Sequence, residues 1–232
     1  MISVTENIRK PSKFKYYEYK YLVLHEQLDL VKKQLINFMG KSDAFPVGIV
    51  DSIYFDSYDQ AMLNQCINGE ANKTKIRIRG YGNDSYNQVH LKIKNLSTVN
   101  KYKSKIKKIS LTQNIFPIWD DISTTKQNDT DFFFIDYMSK NYGLIVPSVR
   151  VKYLRYRYRA FDFRMTLDTN IEFFSPANGI SKRKDYEKLD YHVLEIKTLE
   201  HRPNLPFYGL LALPQISCSK FMLGIQKLNG DF

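Results

Sequence analysis

The chain has 232 residues and a strong excess of positive charge, with 35 lysines and arginines against 24 acids and a formal net charge of +11. Hydrophobic residues make up 43% of it and aromatic residues 14%, which supplies a sizeable core and excludes an intrinsically disordered chain. No stretch approaches the roughly 18 consecutive apolar residues of a membrane span, and residues 1–11 lack the apolar run of a signal peptide. We therefore expect a cytoplasmic protein with one domain over residues 1–232, of which 1–14 form an N-terminal extension.

The positive charge is concentrated in two segments. Residues 73–108 contain eleven lysines and arginines and one acid, so this segment carries 11 − 1 = +10. A second cluster lies in residues 150–164. Such clusters predict a polyanionic partner. The two cysteines, Cys66 and Cys218, are too few for a disulfide framework or a cysteine zinc site, and we expect both to be thiols.

The N-terminal part of the chain predicts a strand followed by a helix. Residues 16–23 alternate in character, with Glu18 and Lys20 on one face of the strand. Apolar residues then recur every three or four positions over residues 24–38, which predicts an amphipathic helix that Gly40 ends. The next predicted elements are a strand over residues 50–55 and a short helix or turn over 59–67.

The basic segment predicts three strands in succession. Residues 73–79 carry a cation at every odd position and Thr or Ile at every even one, which is the period of a strand. A turn over 80–84 and a second alternating run over 89–94 predict a hairpin. The third strand, residues 101–111, also alternates until Lys108 breaks the pattern, and this indicates a β-bulge.

The second half of the chain predicts one helix and three further strands. A shift in the parity of the cations between Lys152 and Arg155 indicates another bulge. Ser219 precedes an apolar C-terminal segment and is placed to cap a helix. The predicted elements are a polar connection over residues 112–130, a helix over 131–142, strands over 149–160, 163–169 and 193–198, and a loop over 175–190.

Cations occupy one face of six or seven predicted strands. A cationic strand face is normally the solvated side of an antiparallel sheet. Because the same feature recurs on so many strands, we instead expect these faces to converge on one space. The few acids on these strands lie two residues from a cation, as Glu18 does from Lys20 and Glu195 from Lys197. We therefore predict an α+β fold in which about eight antiparallel strands close into a barrel with a cationic lumen and with helices packed on the outside.

A lumen lined by like charges must stay hydrated or hold a polyanion with several phosphates, because burying unpaired charge is costly. Carboxylates among the cations would hold Mg²⁺ or Mn²⁺ together with phosphate oxygens. The sequence thus predicts a phosphate-binding lumen with a divalent metal.

Short motifs follow one another in a fixed order over residues 16–225. They are residues 18–23 (EYKYLV), 53–57 (IYFDS), 75–81 (KIRIRGY), 91–94 (LKIK), 151–155 (VKYLR), 164–168 (RMTLD), 193–197 (VLEIK) and 219–221 (SKF). Each motif alone is weak, but their order is specific. Together they resemble the VTC domain of vacuolar transporter chaperones, a member of the triphosphate tunnel metalloenzymes.

The resemblance implies a tunnel in which the γ-phosphoryl group of ATP is transferred to a growing chain of inorganic polyphosphate. It also implies ATP and polyphosphate as ligands, Mn²⁺ or Mg²⁺ as cofactor, and attachment to a membrane through partner proteins. The cations that would bind phosphate during catalysis are Lys20, Arg77, Arg79, Lys94, Arg155, Arg164, Lys197 and Lys220.

The resemblance further implies Glu195 as a metal ligand, while Glu18 is either a second metal contact or a partner of Lys20. Asp168 is expected to position an arginine such as Arg164. Lys92 and Ser219 are expected to contact substrate. Either Lys105 or Lys107 is also expected to contact substrate. The break in the alternation at Lys108 does not decide between them.

The chain departs from the family pattern in its acids. It has Lys92 where the family's middle strand often has Glu, and Tyr16 and Glu18 where other tunnel enzymes have two glutamates. Fewer carboxylates favour transfer, since a hydrolase must activate water. The predicted function is therefore an ATP-dependent polyphosphate polymerase. The alternatives are a tunnel-type tripolyphosphatase or nucleoside triphosphatase, and a non-catalytic module that binds polyphosphate or, less favoured, nucleic acid.

Overall fold

A computed structural model of the protein describes residues 17–38, 41–82, 85–95, 98–110, 137–160, 163–176, 184–201 and 212–231. The predicted extension over residues 1–14 and the connection over 112–130 lie outside the described residues. The described strands are β1 (Tyr17–Val23), β2 (Lys41–Ser57), β3 (Lys73–Tyr81), β4 (Ser85–Asn95), β5 (Thr98–Ser110), β6 (Ile145–Ala160), β7 (Phe163–Phe174), β8 (Tyr186–Lys188) and β9 (His192–Thr198). The helices are α1 (Leu28–Phe38), α2 (Ala61–Ile67), α3 (137–142) and α4 (Lys220–Asn229).

All nine strands belong to one antiparallel sheet. Its order is β1-β9-β7-β6-β2-β3-β4-β5, and β8 pairs with β7. The predicted α+β class is confirmed, but closure into a barrel is wrong, because the hydrogen-bonded order of the described strands ends at β1 and β5. The free edge of β1 is instead occupied by residues 214–216. Leu22 N donates to Pro214 O at 2.9 Å, and Ile216 N donates to Lys20 O at 2.8 Å.

The predicted bulge in the third basic strand is present, because β4 pairs with Lys105 and then with Ile109 of β5 across a shift. The predicted bulge in β6 between Lys152 and Arg155 is wrong. The register of β6 on β7 does shift beside Lys152, but the extra residue lies in β7 between Thr169 and Glu172, and Lys152 stays on the face opposite Arg155.

The second strand is much longer than the predicted 50–55, because residues 41–49 extend β2 along β6 across a further bulge. The sequence does not indicate this part of the strand, because it contains Pro46 and Gly48 and shows no alternation.

Helix α1 covers the outer face of the sheet, as predicted. Val31 and Leu35 of α1 pack in one buried cluster with Leu194 and Ile196 of β9. The buried residues of α2 and α3, including Met62 and Met138, join the larger cluster with the apolar residues of β3 and β4. Each strand therefore turns its apolar positions toward a helix and its cationic positions away from it. Among the described residues no helix is long and apolar enough to cross a membrane.

The C-terminal helix α4 departs from that arrangement, because it lies against the cationic, inner face of the sheet. At this end the inner face is apolar: Phe221 lies 5.5 Å, between ring centroids, from Tyr54, and Gly224 packs on Val149 and Phe173. An apolar patch on the inner face needs an apolar cover, so the prediction that the helices lie outside is wrong for α4.

We expect Gly224→Ala to destabilise the protein although alanine is the better helix former. A Cβ at residue 224 would lie 2.6 Å from Cδ1 of Phe173 and 3.0 Å from Cγ2 of Val149. Overpacking costs about 1–3 kcal/mol, which exceeds the gain of about 1 kcal/mol in helix propensity. Urea unfolding measures the difference, with Gln226→Ala in the same helix as control. A Gly224→Ala protein more stable than wild type would contradict this packing.

Candidate functional site

The inner face of the sheet presents cations from seven strands. In β3, Lys75, Arg77 and Arg79 share it, and the strand pairs place them opposite Lys92, His90 and Gln88 of β4. We call the space in front of this face the groove. The cations that the pairing places on this face include Lys20, Lys73, Lys75, Arg77, Arg79, Lys92, Lys94, Lys101, Lys103, Arg155, Arg157, Arg159, Arg164 and Lys197.

The two ends of the sheet face one another across the groove. Partial burial and the Lys197 ammonium of β9 lower the pKa of Lys101 in β5, while Glu18 of β1 opposes them. Glu18 likewise acts on Lys92 of β4. Interactions between charges are strong only at short range, so these groups of β1, β4, β5 and β9 lie near one another although the edge strands β1 and β5 are not paired.

A buried carboxylate joins three elements at the centre of the groove. Asp168 of β7 is fully buried and accepts two hydrogen bonds from Arg155 of β6, at 2.6 Å and 2.7 Å. Lys220 Nζ of α4 lies 2.7 Å from its Oδ2. Burial alone would raise the pKa of Asp168, but Arg155 and Lys220 lower it. Asp168 therefore positions Arg155 and Lys220, whereas Arg164, its expected partner, is exposed and lies opposite Arg159 and Lys197.

Glu18 and Glu195 share one lysine beside this centre. Lys197 Nζ lies 2.6 Å from Glu195 Oε1 and 3.6 Å from Glu18 Oε2, and Lys20 Nζ lies 3.1 Å from Glu18 Oε1. Although burial opposes it, Lys197 lowers the pKa of both carboxyl groups. Two ionised carboxylates among phosphate-binding cations suit a divalent ion that takes its other ligands from phosphate and water. Among the described residues, no group of three or more His, Cys, Asp or Glu side chains is placed to hold a metal ion.

The two arginines of β3 are held by neutral side chains. Arg77 donates to Tyr54 Oη at 2.7 Å and to His90 Nδ1 at 3.3 Å, and Arg79 donates to Ser52 Oγ at 2.9 Å and Tyr153 Oη at 3.3 Å. Burial, then Arg77 and Arg79, lower the pKa of His90 to about 2, so this ring is neutral and its Nδ1 accepts. These partners orient each guanidinium without neutralising it. Both arginines thus retain their charge for an anion.

A cavity of about 470 Å³ opens where the N-terminus of α4 meets β1 and β3. Ser219 caps α4 by accepting from Met222 N, and it also accepts from Lys75 Nζ at 2.7 Å. Lys20 Nζ donates to Cys218 O at 2.7 Å. The cavity therefore has three lysines, the Ser219 hydroxyl and a helix N-terminus in its wall, all of which favour anions. Its lining includes Glu18, Lys20, Lys73, Lys75, Cys218 and Ser219.

The structure gathers most of the predicted site residues but extends the set. Lys94 is half-buried on the inner face, opposite Lys73. The side chains of Lys105 and Lys107 lie outside the described residues; Lys105 pairs with Gln88, and Lys107 falls within the bulge.

Sequence reasoning missed Lys75, Tyr54, His90, Ser52 and Tyr153. Strand parity already placed Lys75 with Arg77 and Tyr153 with Arg155, but partners from different strands have no signal in the sequence.

The family model of the VTC domain matches residues 15–229. The chain belongs to the VTC family. Among curated proteins, none matches. A Hippeastrum protein named as a candidate adenylyl cyclase and described as having a dominant triphosphatase activity is 15% identical, with a TM-score of 0.55 and coverage of 92% of this chain and 96% of that one. A candidate adenylate cyclase of Bacillus halodurans is 11% identical, with a TM-score of 0.54 and coverage of 87% and 92%. These likenesses support the triphosphate tunnel kind of fold that the sequence motifs imply.

We expect the affinity of the groove for inorganic tripolyphosphate to fall above pH 8. Burial lowers the pKa of Lys92 to about 8, and neighbouring lysines add to this while Glu18 opposes it. Because a bound anion favours the charged form of Lys92, binding should weaken by up to about tenfold per pH unit above that pKa, until the pKa of Lys92 in the complex is reached. Calorimetric titration between pH 7 and 9.5 measures the fall. Lys92→Arg, which stays charged, should flatten the profile, and Lys33→Arg on the exposed side of α1 should not. Identical profiles for Lys92→Arg and wild type would refute the assignment.

Proposed function

We propose that this VTC-family protein is an ATP-dependent polyphosphate polymerase. The observation that carries the proposal is the groove itself, in which Arg77, Arg79, Arg155 and Lys197 converge from three strands around two carboxylates. A row of fixed cations suits a chain of phosphates, whose charges are spaced along the backbone, better than a compact anion. Family membership supports this substrate class.

In the proposed reaction, a terminal oxygen of the polyphosphate attacks the γ-phosphorus of ATP. The bond from that phosphorus to the β–γ bridging oxygen breaks, the bridging oxygen leaves with ADP, and the chain gains one phosphate. Arg77, Arg79 and Arg155 hold the phosphates in line and stabilise the charge that develops on the transferred group. Glu195 and Glu18 would hold a divalent ion, which when bound neutralises phosphate oxygens.

The contacts of the carboxylates favour transfer over hydrolysis. Glu18, Glu195 and Asp168 each contact a lysine or arginine, and such contacts weaken a carboxylate as an acceptor of a proton from water. The terminal phosphate of a polyphosphate is already a nucleophile at neutral pH and needs alignment more than activation. The cavity beside Lys20 and Lys75 gives the acceptor chain a place in line with the groove.

A tunnel-type triphosphatase is the second candidate, favoured by the dominant triphosphatase activity described for the Hippeastrum protein. The two reactions share the same groove and differ in the nucleophile, which is water in one case and a phosphate oxygen in the other. The products therefore distinguish them. The triphosphatase releases orthophosphate and forms no polymer.

The proposal predicts that purified protein converts ATP into ADP and long, acid-labile phosphate chains in the presence of Mn²⁺ or Mg²⁺. Gel electrophoresis resolves the chains by length. Arg77→Gln should reduce the rate by about 10²- to 10³-fold, as removal of one transition-state contact does. Lys152→Gln is the matched control, because Lys152 is a cation of β6 on the opposite face from Arg155.

Each outcome of this assay selects one function. Chains whose formation depends on Arg77 support the polymerase. Orthophosphate without polymer would establish the triphosphatase instead. Tight binding of polyphosphate with no turnover of ATP would leave only a binding module.

A further inference from the structure

The end of the groove opposite the cavity carries an exposed tyrosine. Tyr81 is the last residue of β3, so this strand runs from the cavity at Lys73 and Lys75 past Arg77 and Arg79 to Tyr81. The Tyr81 side chain is 47% exposed. Although burial opposes it, the Arg79 guanidinium lowers the pKa of Tyr81, by its charge and by a hydrogen bond to the hydroxyl. The hydroxyl of Tyr81 thus contacts a phosphate-binding cation while much of its ring remains in solvent.

A second exposed ring lies on the neighbouring strand. Phe45 is 75% exposed and belongs to the bulge of β2 between Ser42 and Val47. Its backbone amide donates to Asp43 Oδ1 at 2.9 Å, which fixes the turn. The bulge is therefore a built feature that holds an aromatic side chain in solvent.

Arg157 of β6 contacts both of these residues. Its Nη1 donates to the backbone carbonyl of Phe45 at 3.0 Å, and its guanidinium carbon lies 5.9 Å from the centroid of the Tyr81 ring. The same Nη1 would lie 3.5 Å from a Cβ at Gly48. A further cation of the inner face is thus held against β2 by the backbone of the Phe45 bulge and lies over the exposed ring of Tyr81.

Single exposed apolar residues are common on protein surfaces, but these two share one arginine at the mouth of an anion-binding groove. Other aromatic residues of the inner face, Tyr54 and Tyr153, are buried and donate or accept hydrogen bonds within it. Aromatic faces beside phosphate-binding cations are the combination that binds nucleotides, because the base stacks while the phosphates pair with charge.

We propose that Tyr81, Phe45 and Arg157 form a nucleoside-binding site that stacks on the purine base of ATP while its triphosphate enters the groove at Arg79. This rests on the proposed function in that ATP is the phosphoryl donor. Binding of the base at this site would fix the orientation of ATP in the groove. The base lies at the Tyr81 end of β3, the γ-phosphate points toward Glu18 and Glu195, and the acceptor chain enters from the cavity at Lys75.

The test compares ATP with inorganic tripolyphosphate, which has the phosphates but no nucleoside. Isothermal titration calorimetry of the full chain should show that Tyr81→Leu and Phe45→Ala each weaken ATP binding by about 5- to 100-fold, the range for loss of one base stack. Phe45→Ala should bind tripolyphosphate within about twofold of wild type, and Tyr81→Leu within about twofold of Tyr81→Phe, which lacks the same hydroxyl contact with Arg79, a limit set below one lost contact. Tyr81→Phe keeps the ring and should keep the preference for ATP. Tyr58→Leu, an exposed tyrosine that follows β2, is the control.

Equal losses for both ligands, or unchanged ATP affinity in both variants, would overturn the nucleoside site. So would a wild-type protein that binds tripolyphosphate but not ATP. The outcome is separable from that of the polymerase proposal. An ATP-selective loss in a protein that makes no polymer would sustain this site and reject the polymerase, whereas polymer synthesis with unaltered ATP binding in the variants would do the reverse.

Discussion

Repulsion among the cations of the inner face is the constraint on which the rest of this structure depends. Arg155 and Lys220 are compensated by one fully buried carboxylate, Asp168. Lys20 and Lys197 are compensated by two more, Glu18 and Glu195. Among the described residues, Arg77 and Arg79 are bonded to hydroxyl and imidazole groups and not to a carboxylate. Their charge is therefore uncompensated along β3, and a bound polyanion would neutralise it.

The same constraint explains how the C-terminal segment is anchored. Cys218, Ser219 and Lys220 receive or supply contacts from β1, β3 and β7, so α4 begins among the charges and continues over the apolar end of the inner face. Residues 214–216 just before it occupy the free edge of β1. One segment thus closes the sheet edge, caps one end of the groove and places a helix N-terminus beside the cavity. These roles are physically coupled because they share fifteen residues of chain, 212–226.

Much of the strand architecture could be predicted because a charge face needs only the period of two. Parity alone placed Glu18 with Lys20, Arg77 with Arg79 and Glu195 with Lys197, but it misassigned Lys152, which lies on the face opposite Arg155 because the extra residue is in β7. The open edge could not be predicted. It depends on backbone hydrogen bonds from residues 214–216, which carry no side-chain pattern.

Partners that meet across strands were likewise hidden in the sequence. The pairing of Asp168 with Arg155, and not with Arg164, follows from the register of β6 on β7. The extension of β2 over residues 41–49 carries no alternation, so the bulge at Phe45 and its contact with Arg157 could not be foreseen. The position of α4 on the inner face could not be predicted either. Its apolar residues, such as Phe221 and Ile225, would equally suit the buried side of a helix on the outer face.

The account depends on whether the edge strands face each other across one groove. Cysteines at Lys101 of β5 and Lys197 of β9, in a protein with Cys66→Ser and Cys218→Ser, test this with a short bifunctional thiol reagent. We predict an intramolecular cross-link that inorganic tripolyphosphate suppresses, and none for the control pair at Lys101 and Lys33 of α1, which lies on the outer face. Failure of the Lys101–Lys197 pair to cross-link, with both cysteines reactive, would show an open basic sheet and contradict the account.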